Sequence, residues 1–140
     1  MKGFKEERAK EDEKINFSKE DLINRAFILH SKGYIEEAIK LYQKCIDSDF
    51  EDSNVYCNYG VICKQKNQIS KAVELYRKSI KINPVNPSAH SNLASILRDM
   101  GELKQAKIHA IKAIKIKSDY AEAYYNLGNI LKEEGKIVQA

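Results

Sequence analysis

The residues best placed for chemistry are four asparagines that recur every 34 residues: Asn24, Asn58, Asn92 and Asn126. A primary amide both donates and accepts, so a row of them can meet the N–H and C=O groups of an extended peptide without reading its sequence. Asparagine is a below-average helix former, and propensity does not account for the recurrence. The competing explanation is structural: an asparagine copied by duplication that bonds a neighbouring helix. Other places counted in the same frame have drifted, as Glu20, Asn54, Ser88 and Glu122 show, whereas the asparagines have not.

With units counted from Lys19, Ser53, Pro87 and Ala121, position 12 reads His30, Lys64, Arg98 and Lys132. Positive charge beside the amides favours an acidic ligand segment. Phe27 and Val61 at position 9, with Ile23 and Cys57 at position 5, make the earlier units apolar, so a hydrophobic side chain is expected to anchor the ligand there. The plainer reading is that long basic side chains solvate a helix face.

Other chemistries find little support. Cys45, Cys57 and Cys63 form no CxxC pair, and His30, His90 and His109 occupy different places in two units, so no metal site is expected. There is no phosphate-cradling glycine loop and no nucleophile paired with a base, so the chain is expected to be neither an enzyme nor a cofactor binder. Lys78, Lys81, Lys112 and Lys115 recur at equivalent places, but without interleaved aromatics they read as a solvated face and nucleic acid is disfavoured. No stretch has the length and apolarity of a membrane span or signal peptide, so the cytoplasm is the expected location. The net charge of +4 is uneven, with residues 1–18 neutral and the four units at −3, +5, +3 and −1.

Helices must position these residues. Residues 1–18 mix both charge signs with few apolar side chains and read as a mobile lead-in. Ser18 is a good helix cap with Asp21 three residues on, and Asn86-Pro87 supplies a cap and a first-turn proline. Asp119 with Glu122 is expected to cap the last unit. From residue 19 apolar residues follow a helical period in pairs of about fourteen-residue segments, broken at Gly33, Asn67, Gly101 and Gly135. Glycine reaches the left-handed conformation freely and asparagine tolerates it, so a tight turn is expected at all four. Small residues recur at position 8 (Ala26, Gly60, Ala94, Gly128) and position 20 (Ala38, Ala72, Ala106, Ala140), where two helices would approach closely.

A strict 34-residue helix-turn-helix period with these residue types resembles the tetratricopeptide repeats over residues 19–140. Units 19–52, 53–86 and 87–120 are complete and 121–140 is partial. No unit has tryptophan at position 4, Arg25 stands where leucine is usual, and only one unit ends in proline. The resemblance implies an all-α, right-handed α-solenoid whose first helices line a concave face, with positions 2, 5, 6, 9, 12 and 13 on it. The asparagine row there is similar to the ladder of the O-linked N-acetylglucosamine transferases. The family's chaperone-tail clamp has its places filled here by Ile23, Phe27, Asn58, Ser88 and Asn92, and of these only Asn58 fits.

The expected function is a protein-interaction scaffold that holds an extended peptide in the groove through Asn24, Asn58, Asn92, Asn126, Lys64, Arg98, Lys132, Phe27 and Val61. The alternative is a substrate-recruiting arm of a larger enzyme such as a glycosyltransferase. The partial last unit leaves apolar surface uncovered, so self-association through it is also expected.

Overall fold

The computed structural model describes residues 18–139. Residues 1–17 and Ala140 lie outside the described residues, and with them the expected lead-in ahead of Ser18 and the small contact expected at Ala140. The described residues form α1 (Lys19–Ser31), α2 (Ile35–Asp47), α3 (Ser53–Gln65), α4 (Ile69–Ile82), α5 (Pro87–Asp99), α6 (Leu103–Ile116) and α7 (Ala121–Gln139), with no strand among them. They fall into two compact bodies, one ending at Phe50 and one beginning at Glu51. No helix among the described residues is long and apolar enough to cross a membrane.

In the first body, α1 and α2 bury Leu22, Ile23 and Ala26 on one side and Ala38, Tyr42 and Cys45 on the other. The Asp21 N–H donates to Ser18 Oγ at 3.2 Å, which satisfies one of the orphan donors of the first turn. Gly33 takes φ +84°. Its N–H donates to the His30 carbonyl and that of Tyr34 to the Leu29 carbonyl, so the turn returns two otherwise unpaired acceptors to the helix end.

The second body repeats that turn twice. Asn67 (φ +59°) and Gly101 (φ +80°) reach the left-handed region, and the bonds to Lys64 and Cys63, and to Arg98 and Leu97, match those around Gly33. A third residue type does the same where the sequence reading expected no such turn: Asp49 closes α2 at φ +57°, with Phe50 N–H reaching back to the Cys45 carbonyl.

The helix pairs need the small residues. A Cβ on Gly60 would lie 2.6 Å from Cε1 and 2.8 Å from Cδ1 of Tyr76, a ring that is itself buried. A polar node ties the start of α3 to the end of α4 and to the cap of α5. Ser53 Oγ donates to the Ser79 carbonyl (2.9 Å) and Ser79 Oγ to the Ser53 carbonyl (2.7 Å). Asn86 Nδ2 donates to Ser53 Oγ (2.9 Å), while its Oδ1 caps α5 by accepting from Ala89 N–H (3.2 Å). Buried side-chain polar groups left unpaired would cost about 1–3 kcal/mol each, and in this node they are paired.

The expected turn at Gly135 does not form. α7 runs unbroken from Ala121 to Gln139 through that glycine, so the last unit is one long helix and not a helix pair. Helical bonding continues through Gly135 at the modest cost of a helical glycine. Gly128 correspondingly has nothing within 4 Å of a Cβ. The expected Asp119 cap is displaced too: Tyr120 directly precedes α7, and the Glu122 carboxylate accepts from its hydroxyl at 3.1 Å.

Two glycines at the same place in the repeat should therefore respond oppositely. Gly60→Ala is expected to lower stability by about 1–3 kcal/mol, since the Tyr76 ring is too enclosed to yield. Gly128→Ala should raise it by up to about 1 kcal/mol through helix propensity alone. Urea unfolding of both variants checks the pair, and equal shifts would contradict the packing described.

Candidate functional site

Position 6 places Asn58 on α3, Asn92 on α5 and Asn126 on α7, all within the second body, whereas Asn24 is an exposed residue of α1 in the first body. Two of the second-body amides are tied to the array. Asn126 Nδ2 donates to the Ser91 carbonyl (3.1 Å) and Ser91 Oγ (3.0 Å), and Asn126 is 3% exposed. Asn92 Nδ2 reaches Cys57 Sγ at 3.5 Å. In both, the amide nitrogen reaches the residue at position 5 of the preceding unit. That contact is the structural use weighed against ligand binding. Asn58 and Asn92 are half-buried.

Position 5 is inward in the first three units, whereas Tyr125 of the last is exposed. Ile23, Cys57 and Ser91 are all buried, so Ile23 and Cys57 do not line a surface. Burial pushes the Cys57 thiol up to about 11, against the smaller lowering effect of Asn92, so at neutral pH it is an inert filler. Phe27 and Val61 at position 9 are half-buried, and the Phe27 ring leans on Tyr42 at 6.2 Å between centroids. A shallow hollow of about 260 Å³ on the first body, lined by Arg25, Leu29, Glu37, Lys40 and Leu41, includes none of the residues expected to bind a ligand.

Position 12 carries the charge. Lys64 Nζ donates to Ser95 Oγ at 2.8 Å and lies 4.0 Å from Asp99 Oδ2. Arg98 Nη2 donates to Asp99 Oδ1 at 3.4 Å. Lys132 is exposed, and His30 Nδ1 lies 3.0 Å from the Tyr42 hydroxyl. Asp99 at position 13 had no place in the sequence argument, although its carboxylate lies between two of the cations; the signal was its adjacency to Arg98. On the second helices, Lys81, Lys112 and Lys115 are exposed, and Lys78 is half-buried, 3.8 Å from Glu51.

The remaining histidines form a buried pair. His90 Nε2–H donates to the Pro84 carbonyl at 2.7 Å, which leaves Nδ1 to accept from His109 Nδ1–H at 3.0 Å, with the rings stacked at 5.3 Å. Among the described residues no cluster of three or more metal-ligating side chains occurs. Burial lowers both pKa values, that of His109 to about 4, with the neighbouring His90, Lys112 and Arg77 adding to the effect.

Antiparallel helix pairs, closed by left-handed turns and stacked through small residues and polar nodes, define a repeat protein of the α-solenoid class. A model described as "TPR repeat" matches residues 60–101 and 94–135, and one described as "Tetratricopeptide repeat" matches residues 22–52. The chain belongs to the tetratricopeptide repeat family. A search of curated protein sequences finds no match. Among solved structures, the first TPR of Spaghetti (RPAP3) bound to the HSP90 peptide SRMEEVD is similar, with a TM-score of 0.75 and 18% identity over 81% of this chain and 90% of that one. The Sgt2 TPR domain from Aspergillus fumigatus gives 0.77 and 18% over 87% and 82%. MamA gives 0.76 and 23% over 84% and 69%. At these identities the likeness is one of fold.

The histidine pair sets a pH dependence. An unfolded histidine binds a proton near pH 6.5 and native His109 only near 4, so between those values the unfolded state holds more protons and stability falls as pH falls. The loss should be on the order of 3 kcal/mol by pH 4. Thermal unfolding at pH 7 and 4.5 is expected to show a lower Tm in acid. His109→Gln, which keeps a donor for His90 and does not titrate, should reduce the difference.

Proposed function

We propose that this chain is a protein-interaction scaffold that holds an extended peptide segment along the face built by its first helices, and that it acts by binding and not by catalysis. The observation that carries this reading is the tethering of the asparagine amides. With Nδ2 of half-buried Asn92 held to the first helix of the preceding unit, its carbonyl oxygen has a set direction and is preorganised for a peptide N–H group, whereas Asn126, 3% exposed, serves the array alone. Asn92 thus serves the array and the ligand with different atoms of one side chain. Within the second body, Val61 adds apolar contact.

Two similar structures support a peptide as the ligand class, since one holds the HSP90 peptide SRMEEVD and another, the second TPR domain of human RPAP3, is in complex with the HSP70 peptide SGPTIEEVD. Their acidic ends agree with the positive position-12 residues. The clamp positions argue for a different partner, because Ile23, Ser88 and Asn92 stand where cations are required and Phe27 where an asparagine is.

Replacing both Asn58 and Asn92 by Ala is expected to weaken a captured peptide by about tenfold or more while the circular dichroism spectrum stays helical. An unchanged affinity would sink the ladder.

The proposal extends to copies of the chain. Tyr124, Leu131 and Val138 fall along one side of α7 and are 49%, 47% and 86% exposed, with Gly128 and Gly135 between them. A stripe with small residues at its centre suits close contact with a second helix, and another α7 supplies one. Sedimentation equilibrium should show concentration-dependent association, and the double substitution Leu131→Ser with Val138→Ser should yield a monomer. A wild-type monomer at high concentration would refute this extension.

A further inference from the structure

The guanidinium of Arg98 is under-satisfied for its burial. Its side chain is 17% exposed, yet Nη1 is buried without an acceptor, Nε lies 3.9 Å from Glu133 Oε1, and the bond from Nη2 to Asp99 spans 3.4 Å. A guanidinium–carboxylate bond ordinarily closes to about 2.7–2.9 Å. The cause is geometric: Asp99 follows Arg98 directly, and successive residues of a helix do not face each other. Lys64, one unit earlier, is held against Ser95 at 2.8 Å and sees the other Asp99 oxygen only at 4.0 Å. One carboxylate, 54% exposed on its side chain, thus stands between two cations and closes on neither.

We infer that Lys64, Ser95 and Arg98 form a carboxylate-binding subsite, and that Asp99 is a weak internal stand-in which an acidic group of the bound peptide displaces. The inference rests on the reading that this face binds a peptide. A ligand carboxylate approaches from outside the helix, free of the constraint on Asp99, and can align its two oxygens with the fork of Arg98 while Lys64 and Ser95 supply further donors. Asp99, already half in water, loses little on release. The subsite draws on positions 9 and 12 of neighbouring units, and none of its residues occupies a chaperone-tail clamp place. A glutamate or aspartate side chain and a chain-terminal carboxylate offer the same chemistry.

The test uses the 15N-labelled full chain and acetylated octapeptides of alternating Ala and Glu, or Ala and Gln, each with a free or an amidated C-terminus. If a side-chain carboxylate is taken, the amidated Glu peptide moves the Arg98 Nε–Hε resonance. If a terminal carboxylate is taken, the Gln peptide with a free terminus moves it. The amidated Gln peptide should leave it in place. Asp99→Asn should tighten the responsive peptide by about threefold or more, and Lys64→Ala should loosen it by about tenfold. Equal binding of all four peptides with a static Arg98 signal overturns the subsite while sparing the peptide-binding face. Weaker binding by Asp99→Asn also overturns it, because Asp99 would then support the site. Failure of every peptide to bind either wild type or Asp99→Asn removes both readings.

Discussion

The fold depends on how closely two helices of one pair can approach. At Gly60 the missing side chain is what admits the Tyr76 ring, and the buried Ala26, Ala94, Ala38, Ala72 and Ala106 show the same demand for small side chains through both bodies. The left-handed turns, closed by carbonyls of the helix that each one ends, fix where each first helix stops. The direction of the position-6 and position-12 side chains follows from that. Where the approach has no partner helix, at Gly128, the turn after it is lost as well.

Much of this was legible in the sequence because the constraints are local. A left-handed backbone admits few residue types, and Gly33, Asn67 and Gly101 declare it; Ser18 and Asn86-Pro87 announce helix starts through their own side-chain chemistry. Gly135 has the same residue type but stays helical, because glycine permits a turn and only a packed second helix demands one. Asp49 is the converse, a residue without glycine's freedom that the closing bonds of α2 force to positive φ.

The candidate site was legible in membership but not in orientation. The 34-residue count gathered Asn58, Asn92 and Asn126, yet no count reveals that Asn126 spends its nitrogen on Ser91 or that Ile23 and Cys57 face inward. Those facts depend on which side of α3, α5 or α7 meets its neighbour. The His90–His109 contact joins residues 19 apart on two helices, and nothing in either local sequence marks it. Asp99 escaped because its role comes from poor geometry with an adjacent residue, which a list of residue types does not carry.

Asn86 caps α5 with its oxygen and grips Ser53 with its nitrogen, while Ser53 and Ser79 clasp the start of α3 to the end of α4. The cap of α5 is therefore held in position by the helix pair before it. Assembly of the second body acquires a polarity: once α3 and α4 have docked, the node orients the side chain that starts α5, whereas α5 formed first would have a cap free to rotate away. The repeats share a sequence pattern, but at this joint the α3–α4 pair acts as the template for α5.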